Sequence, residues 1–213
     1  MNIVIIDYKS GNLASLKNSL ENAALNFKKN IKIIISNNPE VISKADKLIL
    51  PGVGDFLNCR KQLLKIIGMK ETIEEYIKKK SRPFLGICVG MQLMGNISYE
   101  RGKNKGLELI DADVIKINNE VNNIRVPHMG WNNIKVKKNL DKGFLSLDSS
   151  DFYFVHSYHM KCNNDNDILA SVEYGEELVA AVCKDNILGV QFHPEKSQLS
   201  GKKFLQQFFS WTP

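Results

Sequence analysis

The fold of this chain is decided by the stretch Pro83-Phe84-Leu85-Gly86-Ile87-Cys88-Val89-Gly90-Met91-Gln92. Its apolar start predicts a buried strand over 83–87, and a helix is predicted over 91–94. A cysteine between two glycines, after a strand and before a helix, is the arrangement of a nucleophile elbow. The tight turn requires glycine on both sides and lifts the sulfur toward the unpaired amides at the start of the helix. Because such a position favours the thiolate, the sequence predicts that Cys88 is a nucleophile and not a structural cysteine.

Outward from this elbow, the first half of the chain alternates short apolar runs with amphipathic stretches. Strands are predicted at 2–7, 31–36 and 47–50, and helices at 13–24, 55–67 and 70–80. This alternation is typical of a parallel sheet that carries helices on both faces. The sequence therefore predicts an α/β fold with a mostly parallel central sheet.

The second half of the chain has a different pattern. Shorter strands are predicted at 112–117, 131–136, 152–158, 168–173, 179–184 and 187–192, and a final helix at 200–211. Residues 184–187 are typical of a hairpin turn, so we expect these strands to add an antiparallel extension to the sheet. The length of the chain and the lack of a linker in its sequence favour a single domain over 1–213.

Composition argues against several classes of protein. The chain is 43% hydrophobic, and no apolar run approaches the roughly 20 residues that a membrane-spanning helix needs. The net charge of +6 comes from scattered lysines, and the one tight cluster, 78–80, is expected in the last turn of a helix. We therefore expect neither a membrane nor a nucleic-acid partner. The first residues show no signal-peptide pattern, which favours a cytoplasmic location.

The base that a nucleophilic cysteine needs is found near the end of the chain. The pentapeptide Gln191-Phe192-His193-Pro194-Glu195 supplies a base and an acidic group to orient it. Residues two apart on an extended segment face the same way, so the side chains of His193 and Glu195 are expected to meet. The two motifs together predict a triad of Cys88, His193 and Glu195.

A third motif is Leu48-Ile49-Leu50-Pro51-Gly52-Val53-Gly54, a strand that ends in alternating glycines. Such a turn exposes peptide amides to a ligand. Acyl transfer builds negative charge on a carbonyl oxygen, and one well-aimed amide donor contributes about 3 kcal/mol to its stabilisation. The amide of Val89 is the first candidate donor, and Val53 or Gly54 is the second. The alternative is an ordinary turn between a strand and a helix.

One cluster raises the alternative of a metal site. His156, His159 and Cys162 follow one another at steps of three residues. On a strand, residues three apart point to opposite faces, and no acid or second cysteine pair completes a ligand set. We therefore expect neither a metal nor any other cofactor.

The three chemical motifs, in this order, resemble the class I (triad) glutamine amidotransferases, whose fold is flavodoxin-like. A finer resemblance, to the glutaminase subunits of imidazole glycerol phosphate synthases, covers essentially the whole chain. The stretches that carry it are Asp-Tyr-Lys-Ser-Gly-Asn at 7–12, Gly-Ile-Cys-Val-Gly-Met-Gln-Leu at 86–93, Val-Pro-His-Met-Gly-Trp-Asn at 126–132, Phe-Val-His-Ser-Tyr at 154–158 and Gly-Val-Gln-Phe-His-Pro-Glu-Lys-Ser at 189–197. The stretch 126–132 discriminates best, because other class I glutaminases lack it there. Lys9 departs from the family, which more often has glycine at that position.

The resemblance implies a role for individual residues. Cys88 would attack the side-chain amide of L-glutamine, while His193, held by Glu195, would protonate the departing ammonia and then activate water. The ligand-binding residues implied in the same way are Gln92, Glu100, Ser157 and Tyr158. Of these, Glu100 would face the amino group of the substrate, and the backbone of the last two would hold its carboxylate.

The resemblance also implies a partner chain. Ammonia would pass to a barrel-shaped cyclase (synthase) subunit, which makes imidazole glycerol phosphate and the aminoimidazole carboxamide ribonucleotide in histidine biosynthesis, and the two chains would form a heterodimer. The residues implied at the docking surface are Asn12, His128, Met129, Trp131 and Lys196. Two of these have a structural alternative, His128 as a turn residue and Trp131 as part of the core.

Other functions stay open at the level of the sequence. A triad glutaminase that serves anthranilate, nucleotide or pyridoxal phosphate synthesis is disfavoured by the stretch 126–132. A paralogue that feeds ammonia to a sugar-modifying enzyme is not separated by any motif. A silent interaction subunit that kept the fold is disfavoured by the intact Cys88, His193 and Glu195.

Overall fold

The computed structural model describes residues 1–25, 27, 30–120, 124–137 and 143–213. The strands in these ranges are β1 (Asn2–Ile6), β2 (Lys32–Ser36), β3 (Lys47–Leu50), β4 (Phe84–Ile87), β5 (Ile97–Ser98), β6 (Asn104–Lys105), β7 (Ala112–Lys116), β8 (His128–Val136), β9 (Asp151–His156), β10 (Tyr158–Cys162), β11 (Ile168–Tyr174), β12 (Glu176–Lys184) and β13 (Ile187–Val190). The α-helices are α1 (Leu13–Ala24), α2 (Pro39–Ser43), α3 (Phe56–Leu64), α4 (Met69–Lys78), α5 (Val89–Gln92) and α6 (Gln198–Ser210).

A nine-stranded sheet runs through both halves of the chain, in the order β2-β1-β3-β4-β13-β12-β11-β8-β9. The five strands from β2 to β13 pair in parallel. The next four strands continue the sheet with antiparallel pairing. The predicted α/β fold, a parallel sheet with an antiparallel extension, is confirmed. The predicted hairpin is also present, since Lys184 pairs with Ile187 across the turn between β12 and β13.

The helices lie on both faces of this sheet. The connection from β1 to β2 runs in one direction across the sheet, and those from β2 to β3 and from β3 to β4 run in the other. Right-handed crossovers therefore put α1 on one face and α2, α3 and α4 on the opposite face. Packing agrees, because α1 contacts α6, whereas α2 and α3 contact α4. The first helix begins after Asn12, whose side chain accepts a hydrogen bond from the amide of Ser15 at 3.2 Å.

Four strands form a second sheet, in the order β10-β7-β5-β6, which the sequence did not predict. Two of them, β5 and β6, are two residues long, which is too short for a readable alternation of apolar and polar residues. The predicted strand 152–158 was wrong as a single element. The chain leaves the first sheet after His156 and enters the second at Tyr158, so Ser157 lies at the crossing point. The short helix α2 was also missed.

The parallel strands place the three sequence motifs at one edge of the sheet. Strands β3, β4 and β13 are adjacent and buried at every position, as expected for parallel strands covered on both faces. Each is followed directly by one motif: the Pro51–Gly54 turn, Cys88 and the His193 segment. Ligands of α/β proteins bind outside the carboxyl ends of parallel strands, and this edge is such a place. No helix in the described ranges is long and apolar enough to span a membrane.

Candidate active site

The nucleophile elbow has a strained backbone. Cys88 joins β4 to α5 with φ 53° and ψ −114°, a conformation that residues other than glycine rarely adopt. Its amide donates a hydrogen bond to the Val190 carbonyl at 2.8 Å, which ties the turn to β13. Strain of this kind costs about 1–3 kcal/mol and persists where the surroundings impose it, most often at functional sites. This backbone conformation turns the Cys88 side chain out of the sheet.

The glycines on either side of Cys88 allow close backbone contacts. A Cβ atom at Gly90 would collide with the carbonyl oxygen of Leu50, at the end of β3. A Cβ atom at Gly86 would lie 2.7 Å from the carbonyl oxygen of Gly90. A side chain at Gly90 would therefore push the elbow away from the end of β3 and the loop with the candidate oxyanion donors, and one at Gly86 would displace the helix α5.

The imidazole of His193 links the sulfur to an acid. It is hydrogen-bonded to Cys88 and, through Nδ1, to Oε1 of Glu195 at 2.8 Å. The side chains of His193 and Glu195 are 3% and 6% exposed. Burial opposes protonation, but the hydrogen bonds to Cys88 and Glu195 and their charges outweigh it and raise the pKa of His193 well above its ordinary value. An imidazole in this position can exchange a proton with the sulfur.

His193 and Glu195 meet across a 3-10 turn, whereas the sequence predicted that they would meet along an extended segment. Strand β13 ends at Val190, and Pro194–Lys196 form a 3-10 turn. The turn is fixed by Ser197, whose hydroxyl donates to the His193 carbonyl at 2.6 Å and accepts from the amide of Tyr153 at 3.0 Å. Because the turn is anchored to β9, the imidazole keeps its position independently of the strand that precedes it.

Two loops offer amides beside the sulfur. The amide of Val89 lies in the first turn of α5, where amides have no partner within the helix. In the other loop, the Val53 carbonyl accepts hydrogen bonds from Ser10 Oγ at 2.9 Å and from Cys59 Sγ at 3.3 Å. In a trans peptide the C=O and N–H point in opposite directions, so the Gly54 amide points away from these two side chains.

An open cavity of about 400 Å³ lies beside the nucleophile. Its lining is Val53, Gly54, Cys88, Val89, Gln92, Glu100, Pro127, Val155, His156, Ser157, Tyr158, His193 and Lys196. The structure thus brings the sequence-predicted catalytic, oxyanion and ligand-binding residues to one cavity, except Glu195, which contacts His193. A cavity of this size with a few convergent polar groups suits a small polar ligand.

The polar groups of the cavity are held by neighbours. The side-chain amide nitrogen of Gln92 donates to the Tyr158 carbonyl at 2.8 Å and to Gln191 Oε1 at 3.0 Å. Oε2 of Glu100 accepts from the amide of Phe56 at 2.8 Å, which joins this carboxylate to the start of α3. A Glu100 substitution would therefore affect both the cavity and this helix end.

The predicted docking residues are not all at the surface. Met129 is 61% and Trp131 48% exposed, and the Trp131 ring lies 6.1 Å from that of Tyr153. Lys196 Nζ lies 5.4 Å from the centre of the same Tyr153 ring. Trp131 is therefore not a core residue. His128, by contrast, lies within β8 and is 2% exposed, so both its predicted surface position and its alternative as a turn residue were wrong.

Sequence reasoning missed several residues that support the site. Gln191 donates through Nε2 to the Cys88 sulfur at 3.7 Å, and His156 is hydrogen-bonded to His128 at 3.0 Å. One signal was available: alternation along β8 places His128 and Asn132 on one face and the exposed Trp131 on the other. Ser10 and Cys59, which both donate to the Val53 carbonyl, are also hydrogen-bonded to each other. Nothing local in the sequence indicates this contact, because 49 positions separate the two residues.

The cluster considered for a metal is divided between two sheets. His156 ends β9, whereas His159 and Cys162 belong to β10. Both ring nitrogens of His156 are hydrogen-bonded, to His128 and to the Tyr158 carbonyl. In the described part of the chain, no group of three or more His, Cys, Asp or Glu side chains is placed to hold a metal ion.

Comparison with known proteins identifies close relatives over the full length. The family model "Glutamine amidotransferase class-I" matches residues 4–211. The imidazole glycerol phosphate synthase subunits HisH of Rhodopseudomonas palustris and Bradyrhizobium diazoefficiens are 41% and 43% identical to this chain over 216 residues, with all of both chains covered. Subunit HisH 1 of Campylobacter jejuni is 43% identical over 97% of this chain and 98% of its own.

Solved structures share the fold at much lower identity. A crystal structure of a glutamine amidotransferase matches with a TM-score of 0.71 and 17% identity, over 97% of this chain and 98% of that one. The glutaminase domain of Trypanosoma brucei CTPS with bound acivicin matches with a TM-score of 0.65 and 15% identity, over 100% and 95%. These two likenesses concern the fold alone. From the family model and the full-length relatives, the chain belongs to the class I glutamine amidotransferases and is a glutaminase subunit of the HisH type.

Proposed function

We propose that this chain hydrolyses L-glutamine to L-glutamate and ammonia at Cys88, and that the ammonia passes to the cyclase barrel subunit of imidazole glycerol phosphate synthase. The observation that carries the proposal is the buried contact of Cys88 with His193, itself held at 2.8 Å by Glu195, at the wall of a cavity with polar groups for a small ligand. A cysteine, a base and an orienting acid in this order are the elements of nucleophilic acyl transfer.

The first half-reaction forms a thioester. The thiolate of Cys88 attacks the side-chain amide carbon of glutamine, and a C–S bond forms while the carbonyl oxygen becomes an oxyanion. The amide of Val89 and a second donor, Val53 or Gly54, stabilise that oxyanion. The protonated His193 then gives its proton to the amide nitrogen, the C–N bond breaks and ammonia departs. Glu195 keeps the imidazole aligned and stabilises its charged form.

The second half-reaction returns the enzyme to its starting state. His193, now neutral, takes a proton from a water molecule, whose oxygen attacks the thioester carbon. The same amides hold the second oxyanion, the C–S bond breaks, and the product leaves as glutamate after its new carboxylic acid group loses a proton to water. The proton remains on His193, so the ion pair with Cys88 is restored for the next turnover.

Recognition of glutamine depends on the far end of the cavity. The carboxylate of Glu100 pairs with the substrate ammonium group, and the backbone at Ser157 and Tyr158 binds its carboxylate. The oxygen of the Gln92 side-chain amide completes the contacts with the substrate, since the nitrogen of that amide already donates to two protein acceptors. Because these groups are fixed relative to Cys88, they select the length of the glutamine side chain over that of asparagine.

The surface of this chain on which the cyclase subunit docks lies beside the cavity. Met129 and Trp131 are two exposed apolar side chains on the same face of β8, a composition that suits the centre of an interface. Lys196, which lines the cavity, approaches the same cluster through Tyr153. The names of the full-length relatives describe subunits of this synthase, which supports assembly with another subunit as a heterodimer. Docking there would deliver ammonia without release to solvent.

Glutaminase kinetics with and without the cyclase subunit and its nucleotide ligand test the proposal. We expect weak activity alone and a kcat raised about a hundred- to a thousandfold by the partner, because one oxyanion donor in the Val53 loop can be withheld until docking. The Cys88→Ala complex should lose synthesis from glutamine but keep synthesis from free ammonium. Full activity of the isolated chain, unchanged by any cyclase, would contradict the coupling.

A further inference from the structure

Two buried histidines form a hydrogen-bonded pair behind the ligand cavity. His128 on β8 lies directly opposite His156 on β9, and Nδ1 of the first is 3.0 Å from Nε2 of the second. The other nitrogen of His156, Nδ1, is 3.0 Å from the carbonyl oxygen of Tyr158. On the far side, Nε2 of His128 is 3.3 Å from the side-chain nitrogen of Asn132, which also donates to the Glu173 carbonyl at 2.9 Å.

These contacts fix the proton on each ring. A carbonyl oxygen can only accept, so Nδ1 of His156 carries a hydrogen and its Nε2 accepts. The hydrogen between the two rings therefore sits on Nδ1 of His128. Its Nε2 is then free to accept from Asn132, whose amide nitrogen is a donor. Every ring nitrogen has one partner of the correct polarity when both histidines are neutral.

The surroundings keep both rings neutral. His128 is stacked between the rings of Phe154 and Tyr174, with centroids 4.7 and 4.0 Å away. Burial lowers the pKa of His128 to about 4 and that of His156 to about 3. Both histidines thus stay uncharged at neutral pH. Since both ring nitrogens of His156 are hydrogen-bonded to protein atoms, this ring has no free polar atom for a ligand, although it lines the cavity.

The far end of the pair reaches the groups that hold the ligand and the nucleophile. The Tyr158 carbonyl that accepts from His156 also accepts from Gln92 Nε2 at 2.8 Å. The same nitrogen donates to Gln191 Oε1 at 3.0 Å, and Nε2 of Gln191 donates to the Cys88 sulfur at 3.7 Å. One continuous chain of hydrogen bonds therefore runs from His156 to the nucleophile through the wall of the cavity.

We propose that His156, backed by His128, is a positioning residue for glutamine: its Nδ1–H fixes the Tyr158 carbonyl and thereby the backbone and the Gln92 amide that bind the substrate. This inference rests on the proposed glutaminase function. The carbonyl of Tyr158 has two side-chain donors, and loss of the His156 donor removes one of the two contacts that align this peptide with the Gln92 amide. Substrate affinity should suffer first, because the ion pair of Cys88 and His193 is not touched.

Two substitutions separate the two nitrogens of His156. Asparagine places an amide nitrogen near the position of Nδ1, so His156→Asn keeps the donor to the Tyr158 carbonyl and loses the hydrogen bond with His128. Glutamine reaches the position of Nε2, so His156→Gln keeps the contact with His128 and loses the donor. His156→Phe removes both hydrogen bonds at similar volume. The packing control is His159→Phe, since His159 is equally buried but lies outside the cavity lining.

The measurements are KM and kcat for glutamine in the complex with the cyclase subunit, and glutamine binding by calorimetry in a Cys88→Ala background. We expect His156→Gln and His156→Phe to raise KM and the dissociation constant roughly tenfold, the effect of one lost hydrogen bond, with kcat changed less than threefold. His156→Asn should stay within about threefold of wild type in both constants. His159→Phe should lower the melting temperature without changing either constant.

Each outcome decides between the alternatives. Equal affinity in the asparagine, glutamine and phenylalanine variants would overturn the positioning role while leaving the glutaminase function intact. A rise in KM for His159→Phe equal to that for His156→Phe would assign the effect to general loosening and overturn the inference as well. Wild-type protein that neither binds nor hydrolyses glutamine with its partner would instead overturn the proposed function, and this inference with it.

Discussion

Covalent labelling should separate Cys88 from the other three cysteines of the chain. The perturbation is an electrophilic analogue of glutamine, whose amino-acid end occupies the cavity and whose reactive carbon reaches the sulfur. The thiolate is the form of a cysteine that reacts. Protonated His193 contacts the Cys88 sulfur, whereas burial raises the pKa of Cys59 and raises that of Cys162 to about 12.

The expected selectivity follows from the thiolate fraction. At pH 7.5 a thiol with a pKa of about 12 is ionised in roughly one molecule in 30,000, against about one in ten for an ordinary cysteine. Cys162 should thus react about 3,000 times more slowly than an ordinary exposed thiol. Cys59 and Cys183 are buried and do not line the ligand cavity, whereas Cys88 does, so the analogue does not bring its reactive carbon to them. Binding of the analogue beside Cys88 widens the difference.

Mass spectrometry of the intact chain and its peptides measures the result. We expect one label per chain, on Cys88, at pH 7.5, with glutaminase activity lost in proportion to labelling and glutamine slowing both. The matched controls are Cys88→Ala, which should take no label, and His193→Asn, which should react at least about tenfold more slowly because the sulfur loses its cationic partner. Labelling of Cys59 or Cys162 at a comparable rate, or a fully labelled enzyme that still hydrolyses glutamine, would refute the reasoning.

Three other perturbations have defined outcomes. Glu195→Gln should lower kcat by roughly 10- to 100-fold with little change in KM, because a charge-assisted hydrogen bond to the base becomes a neutral one; an unchanged kcat in steady-state assays would contradict this. Glu100→Gln, which keeps an acceptor for the amide of Phe56, should raise KM for glutamine more than it lowers kcat, and an unaltered KM would remove Glu100 from the substrate site. For His128, the folded pKa of about 4 lies below the unfolded 6.5, so protons favour the unfolded chain below about pH 6.5. Urea unfolding should show that wild type loses about 1–2 kcal/mol more than His128→Phe between pH 7 and pH 5, and equal losses would mean that His128 is not held neutral.

The sequence predicted those parts of the site that depend on short-range geometry. The elbow at Cys88 needs a strand, two glycines and a helix start within a few residues, and all of these are visible in one stretch. The contact between His193 and Glu195 is also local, although a 3-10 turn and not a strand makes it. The parallel order of the first strands follows from alternation with helices and the handedness of crossovers.

The remaining features depend on pairing between distant segments. Strand β5 pairs with β6 on one side and with β7 on the other, and nothing in a stretch of two residues can show that. The break at Ser157 is set by the pairing of β9 with β8 and of β10 with β7, so the aromatic-rich stretch 152–158 gives no warning of it. The pair of His128 and His156 is separated by 28 positions and depends on the register of β8 against β9.

The fold divides the chemistry from the recognition of substrate and partner. The proposed nucleophile, base and oxyanion donors follow three adjacent parallel strands, whereas Tyr158 lies in β10 of the second sheet and Glu100 in the turn between β5 and β6. One strand, β8, carries residues named in both proposals. Its outer face exposes Trp131, and its inner face holds His128, whose ring is hydrogen-bonded to that of His156. Neighbouring residues of a strand point to opposite faces, so this one strand carries both the exposed tryptophan and the buried histidine.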